Sequence, residues 1–417
     1  MVYGEGARDI AIIDVLSRAY LGTGNYDAAL TVVRDYARSD VADEHKLKVF
    51  LDVLRLLDQT EPEKQRVYEE LNAVGPASDD LFIHYALLCR CLGASAEALE
   101  HIRSARQSSH SATLLVAMGL VLDDLNEGAA SLNLLQEAER AADAPPYASK
   151  FTRSATRDLD HVRRMREYAD SRASNCDKPK VAIMISGFVR DYHAAYALRS
   201  FVERHPGWAV DVFAHMFDRM GDFRIPFGMP KELYDYTNGG VFREIQKTAP
   251  LNTEKFMDFF QPTRCVIEER REDGYYNDLI GMAHPQWLKV FKCFELLENY
   301  ISETGVRYDA AIRARPDTSY ATLTLSPGKV SEGQVIVPGN HNYGMPGYTI
   351  CDRFAYSTVN TIRTYCMIGA GKTFVALEKE DTWQQHLAAA SHSHETHLAY
   401  WLMKNKIQVI RDLNLIV

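Results

Sequence analysis

Two textures divide the chain. As far as about residue 172, apolar residues recur every three or four positions between short polar breaks, the spacing that lines one face of a helix. Beyond residue 180 the apolar residues gather instead into short runs: VAIMIS (181–186), AVDVFAH (209–215), YDAAIRA (308–314), GQVIVP (333–338) and KIQVIRD (406–412). Each run has the length of a strand. The helical period returns between several of them, notably in HAAYALRSFVERH (193–205) and PQWLKVFKCFELLENYISE (285–303). Strands alternating with helices predict an α/β domain built on a mostly parallel sheet. The polar stretch ADSRASNCDKPK (169–180) with Pro179 marks the boundary. The expected domains are therefore residues 1–172, all helical, and residues 178–417, α/β.

The breaks of the helical half recur about every 34 residues, at GNYDAAL, EPEKQRV, GASAEAL and NEGAASL, which is the period of paired-helix repeats of the tetratricopeptide type. AYLGTGNYDAALTVV matches that pattern best, with Ala19, Gly24, Tyr26, Ala29 and Leu30 in place, whereas Pro62 and the charges around it interrupt the second unit. An irregular helical bundle is the alternative. Either arrangement offers helical surfaces for a protein partner or for self-association, and no obvious chemistry.

Composition narrows the function. The chain has 417 residues, 46% hydrophobic and 25% charged, the profile of a globular protein long enough for two domains. Its formal net charge of -9 excludes a general nucleic-acid binder, which needs surplus Lys and Arg. No run approaches 18 apolar residues, and MVYGEGARDI has neither the basic start nor the apolar core of a signal peptide, so no transmembrane segment is expected. The seven cysteines are scattered without metal-ligand spacing, which suggests a reducing, cytoplasmic setting with any membrane work done peripherally at the inner face.

In open α/β sheets ligands sit beyond the carboxyl ends of the strands, so candidate chemistry is sought there. The first strand leads into SGFVRDY, where Gly187 permits a tight turn beside Ser186 and Arg190 offers a planar fork of donors to phosphate or a nucleobase. His215 and Asp218 follow the second strand. In YDAAIRARPDTSY, strand alternation puts Ile312 and Ala314 on one side and Arg313 and Arg315 on the other, and Pro316 ends ladder pairing so that Asp317 projects at the tip. Two guanidiniums beside one carboxylate suit a diphosphate, with an internal Arg–Asp ion pair as the alternative. Late in the chain, SHSHETH supplies His392, His394, Glu395 and His397 ahead of a helical pattern. CMIGAGKTF imitates the tail of a phosphate-binding loop, but Cys366 stands where the first glycine belongs and a helical pattern precedes it, which excludes an ATPase reading.

VAIMISGFVRDY, YDAAIRARPDTSY and CDRFAYS, in that order, resemble a family of bacterial and viral glycosyltransferase-like proteins linked to surface polysaccharides. The resemblance spans residues 180–417 and implies a glycosyltransferase A fold, a nucleotide-sugar donor, a glycan or lipid-linked acceptor, and Mn2+ or Mg2+. Carried over by position, Ser186, Gly187 and Arg190 would border the nucleotide, Arg313 and Arg315 would face the donor phosphates, and Asp317 would be the metal-binding acid, with His394 as a late metal ligand. Asp352, read as preceding a helix, is the candidate general base, with an acid placed to suit the helix dipole as the equal alternative, and Glu395 is a candidate to contact acceptor or ribose, with a first-turn helix acid as its alternative. Phe188 occupies a place where a polar residue is expected, and only one acid stands where many such enzymes have Asp-x-Asp. The competing expectation is a non-catalytic scaffold: helical repeats that recruit a partner, attached to a degenerate transferase domain.

Overall fold

The computed structural model describes residues 82–83, 86, 89, 95–107, 109–145, 148–172, 177–189, 192–220, 250–270, 285–318, 330–339, 350–371, 373–378, 380, 382 and 394–412. The chain forms two compact units, residues 1–159 with 221–250 and residues 160–220 with 251–417. The repeat breaks around Ala29 and Lys64 lie outside the described residues.

In the first unit, helices α1 (Ser95–Arg106), α2 (Ala112–Asp124) and α3 (Gly128–Arg140) are followed by the first half of α4 (Ala148–Ser171). Helix α2 is apolar almost all round, and every residue from Ala112 to Leu122 is buried. Ser111 caps it by accepting a hydrogen bond from the Leu114 amide, satisfying one of the orphan donors of the first turn. Gly119 sets the spacing to α3: a Cβ there would lie 2.8 Å from Leu135 Cγ. Thr152 in α4 donates to the Leu135 carbonyl at 3.2 Å.

The second half of α4 belongs to the other unit, and its contacts give the reason. His161 Nε2 meets the Phe259 carbonyl at 2.9 Å, Met165 is buried in the α/β core, Tyr168 Oη bonds the Val210 backbone, and Arg172 donates to Gln261 O and Thr263 Oγ1. Polar breaks in a sequence do not report which core a continuous helix serves.

One seven-stranded sheet organises the second unit. Its strands are β1 (Lys180–Val189), β2 (Ala209–Met220), β3 (Arg264–Glu268), β4 (Ala310–Ala314), β5 (Gln334–Pro338), β6 (Phe354–Ser357) and β7 (Gln408–Asp412), in the order β3-β2-β1-β4-β6-β5-β7. All pairings are parallel except those made by β6, which runs against both β4 and β5. The five apolar runs of the sequence all form strands. Strands β3 and β6 are additional, each of five residues or fewer.

Helices cover both faces, as a mostly parallel sheet requires. On one side lie the second half of α4, α5 (His193–Arg204) and α6 (Thr253–Phe260), which bring Met165, Leu198, Phe201, Phe256 and Phe260 against Val181, Ile183, Ile185, Ile312 and Ala314. On the other, α7 (Pro285–Thr304), α8 (Val359–Cys366) and α10 (His394–Lys404) bring Trp287, Cys293, Leu297, Tyr365 and Leu402 against Ala182, Met184, Phe213 and Ala311; the short α9 (Thr373–Glu378) lies between α8 and α10 in sequence. The expected split of β4 holds: Ile312 and Ala314 join the first core, and Arg313 shares the second face with Ala311. One expectation is corrected. Asp352 precedes strand β6 and not a helix, since Phe354–Ser357 pair with β4 and α8 starts only at Val359.

Candidate functional site

The chain order places a switch point at one edge of the sheet. From β1 it steps outward to β2 and β3, then returns to lay β4 on the opposite flank of β1. Connections therefore leave in opposite directions at the carboxyl ends of β1 and β4, the position at which α/β sheets bind ligands. Ile185 pairs with Ala314, so Ser186 and Arg315 are the next residues on either side. Gly187 has φ +112° and the β1–β2 register slips between it and Val189, a backbone turn that favours glycine. Pro316 and Asp317 form the middle of a tight turn closed by the Thr318 amide on the Arg315 carbonyl at 3.1 Å. Because β6 runs antiparallel, it enters at this same edge: the Arg315 amide donates to Arg353 O at 2.9 Å, which brings Asp352 alongside.

Here the side chains form a compact ionic cluster. Arg315 donates from Nε to Asp317 Oδ1 at 2.9 Å and from Nη2 to Asp317 Oδ2 at 2.7 Å, a fork-to-fork pair. Its Nη1 faces Asp352 Oδ1 at 3.9 Å, beyond hydrogen-bond distance. Gln286, from the first turn of α7, donates to Asp352 Oδ2. Burial alone would lower the Arg315 pKa, but the adjoining Asp317 charge and hydrogen bonds, with Asp352 beyond, raise it overall. The ion-pair alternative read from the sequence is thus what joins Arg315 to Asp317, and Asp352 adds a second carboxylate to the same guanidinium.

Arg313 differs sharply. It is 1% exposed, and none of its three guanidinium nitrogens has a hydrogen-bond partner. Its charge is felt by Cys293, Tyr365, Cys366 and Cys351, whose pKa values burial pushes up and the guanidinium pulls back down. The Tyr365 hydroxyl and the Trp287 indole N–H are likewise buried without partners.

A second cluster occupies the ends of β2 and β3. Lys289 of α7, fully buried, donates to Met216 O at 3.1 Å, pairs with Glu268 Oε1 at 2.7 Å and lies 3.9 Å from the centre of the Phe217 ring. Burial lowers its pKa to about 8 against the opposing pull of Glu268. Lys292, one turn on, reaches Glu268 Oε2 at 3.2 Å. His215 Nε2 lies 3.8 Å from the same oxygen, while its Nδ1 is buried without a partner, as is the Oγ of Ser186 on the neighbouring strand. Burial, then the Lys289 charge, lowers His215 to about 3, so the imidazole is neutral at ordinary pH. Phe188, where a polar residue was expected, stacks on Phe217 at 4.3 Å with the Arg270 guanidinium 5.2 Å from its centre. The Asp218 carboxylate accepts from the Arg270 amide at 3.1 Å.

The structure therefore brings Ser186, Gly187, Arg315, Asp317 and Asp352 to one edge and sets Arg313 beneath it. Arg190, His392 and the His394 side chain lie outside the described residues. Glu395 sits in the first turn of α10, where an acid suits the helix dipole, and its carbonyl accepts from the Ile350 amide at 3.2 Å, two residues before Asp352. His397 is buried. Sequence reading missed Gln286, Lys289 and Glu268. The signal was present in PQWLKVF, where a lysine interrupts the apolar face of a helix.

A divalent ion does not fit the acids described. Both Asp317 oxygens are engaged by Arg315 and one Asp352 oxygen by Gln286, and among the described residues no group of three or more His, Cys, Asp or Glu side chains is disposed to hold a metal. No family model matches the chain, and no curated protein or solved structure matches it.

Proposed function

We propose that the α/β unit is a glycosyltransferase of the glycosyltransferase A type, moving a sugar from a nucleotide-sugar donor to a glycan or lipid-linked acceptor in surface-polysaccharide synthesis. The observation that carries the reading is a pair of groups beside the switch point, between β4 and β6: the Arg315 Nη1 edge and the Asp352 Oδ1 oxygen face one another at 3.9 Å without a hydrogen bond. A donor edge suits the departing diphosphate, and a carboxylate oxygen beside it suits the acceptor hydroxyl. Asp352 takes the proton of that hydroxyl as its oxygen bonds to the anomeric carbon, and the sugar–phosphate bond breaks toward Arg315. Ser186 and Gly187 border the nucleotide. Arg313 acts from beneath the strand as fixed positive potential, since its burial keeps it from direct contact.

Helix pairs in the first unit, closely packed at Gly119, support a tetratricopeptide-like platform for a protein partner or a second copy of the chain. No described helix is long and apolar enough to cross a membrane; the scattered cysteines support work in a reducing, cytoplasmic setting, peripherally at the inner membrane face.

Asp352→Asn tests the chemistry. It is expected to lower transfer about 10²–10⁴-fold while leaving the donor dissociation constant nearly unchanged. Undiminished turnover would remove Asp352 from the mechanism. One observation favours the second reading, a scaffold with a degenerate transferase domain: Arg315 and Asp317 already satisfy one another. A scaffold would bind no nucleotide at all.

A further inference from the structure

We infer that this site works without a divalent cation because Arg315 occupies the place of one. The inference rests on the glycosyltransferase reading for its meaning, although its central test does not. Two carboxylates from different strands, Asp317 after β4 and Asp352 before β6, converge on a single guanidinium. In a metal-assisted site that convergence would be the cation's seat, since a hard dication needs several oxygen ligands from separate segments. Here a covalently attached charge fills it. Both oxygens of Asp317 point into the Arg315 fork, and Gln286 holds Asp352 Oδ2 from the other side.

A dication placed on the same oxygens would sit against the guanidinium, with like charges in contact and the fork hydrogen bonds lost. Arg315 is also firmly held, with a side chain only 14% exposed and a backbone amide bonded to Arg353. The arrangement gives the guanidinium two duties. Its Asp317 side fixes its orientation, and its Nη1 edge is left to meet a phosphate oxygen of the donor.

Removing the guanidinium should free the Asp317 oxygens that it holds and the Asp352 oxygen that it faces to take a dication in its place. Mn2+ titration followed by electron paramagnetic resonance on the full chain reads this directly, without any donor. The wild type is expected to show no stoichiometric site tighter than about 1 mM, and Arg315→Ala to acquire one that Asp317→Asn in the same background removes. Nucleoside diphosphate affinity of the wild type should change less than about twofold between EDTA and Mn2+.

A one-to-one Mn2+ site in the wild type that Asp317→Asn abolishes would overturn the inference, as would a folded Arg315→Ala protein that binds no Mn2+. Should Arg315→Ala fail to fold, the wild-type titration and its Asp317→Asn control still decide. Absence of nucleotide binding under either condition would count against the glycosyltransferase reading and leave the Mn2+ result standing.

Discussion

The two wings of the sheet's carboxyl edge are built from the same kinds of group with opposite balance. At the ends of β2 and β3, two lysines meet one carboxylate, and the nearby His215 is kept neutral. Between β4 and β6, one guanidinium meets two carboxylates. The first wing has cationic surplus and unpartnered polar atoms at Ser186 and His215; in the second the Arg315 fork is taken up by Asp317, Asp352 stands off at 3.9 Å, and the Arg313 guanidinium and Tyr365 hydroxyl are the unpartnered groups. Buried polar atoms ordinarily find partners, so the orphaned ones are a cost carried by the fold on this side. On the glycosyltransferase reading proposed above, binding groups and reacting groups would be divided between the wings, with Arg313 beneath the join.

The sharpest way to break this comparison is to delete a charge from the second wing. Arg315→Met takes the shared guanidinium away from two buried carboxylates and is expected to lose about 3–5 kcal/mol of stability by urea denaturation. A loss under about 1 kcal/mol would mean that the cluster is wetter and looser than described. Arg313→Met, two residues earlier on the same face, should have the opposite sign. An unpartnered buried guanidinium is replaced by an apolar side chain of similar length, with an expected gain of about 1–3 kcal/mol together with weaker nucleotide affinity. Destabilisation instead would show that Arg313 has bonding that the comparison denies it.

The smallest effect sharpens the first wing. His215 has a folded pKa of about 3, below its ordinary 6.5, so between those values the unfolded chain takes up a proton that the folded chain refuses. Stability therefore falls as pH falls through that window, by at most about 1.4 kcal/mol per pH unit for the one proton. His215→Asn should flatten the slope between about pH 6 and 5, above the range where the depressed pKa of Glu268 adds its own loss on acidification. An unchanged slope would mean that His215 protonates in the folded state.

Much of this was legible in the sequence, for physical reasons that also explain the gaps. Continuous apolar runs such as VAIMIS announce strands buried on both faces, and period-two alternation sorted Arg313 from Ile312 without coordinates. Strand β3 is a sheet edge with half-exposed residues, and β6 has four residues, too few for a pattern to outweigh its surroundings. The pairing of Arg315 with Asp317 was one of two readings, because spacing gives proximity and not orientation. Asp352 reached the site through an antiparallel strand, and Gln286 and Lys289 through a distant helix. Long-range placement of that kind is fixed by tertiary packing, which a local pattern does not record.

On the proposed reading, the β1–β4 switch point receives a nucleoside diphosphate. Isothermal titration of the wild-type protein with UDP, GDP, ADP and CDP in EDTA, repeated with Arg315→Lys, tests it most directly. A saturable heat is expected with at least one of the four, with a loss of about tenfold or more in affinity when the planar guanidinium becomes a point charge. No heat with any of them, in EDTA or in Mn2+, would contradict it.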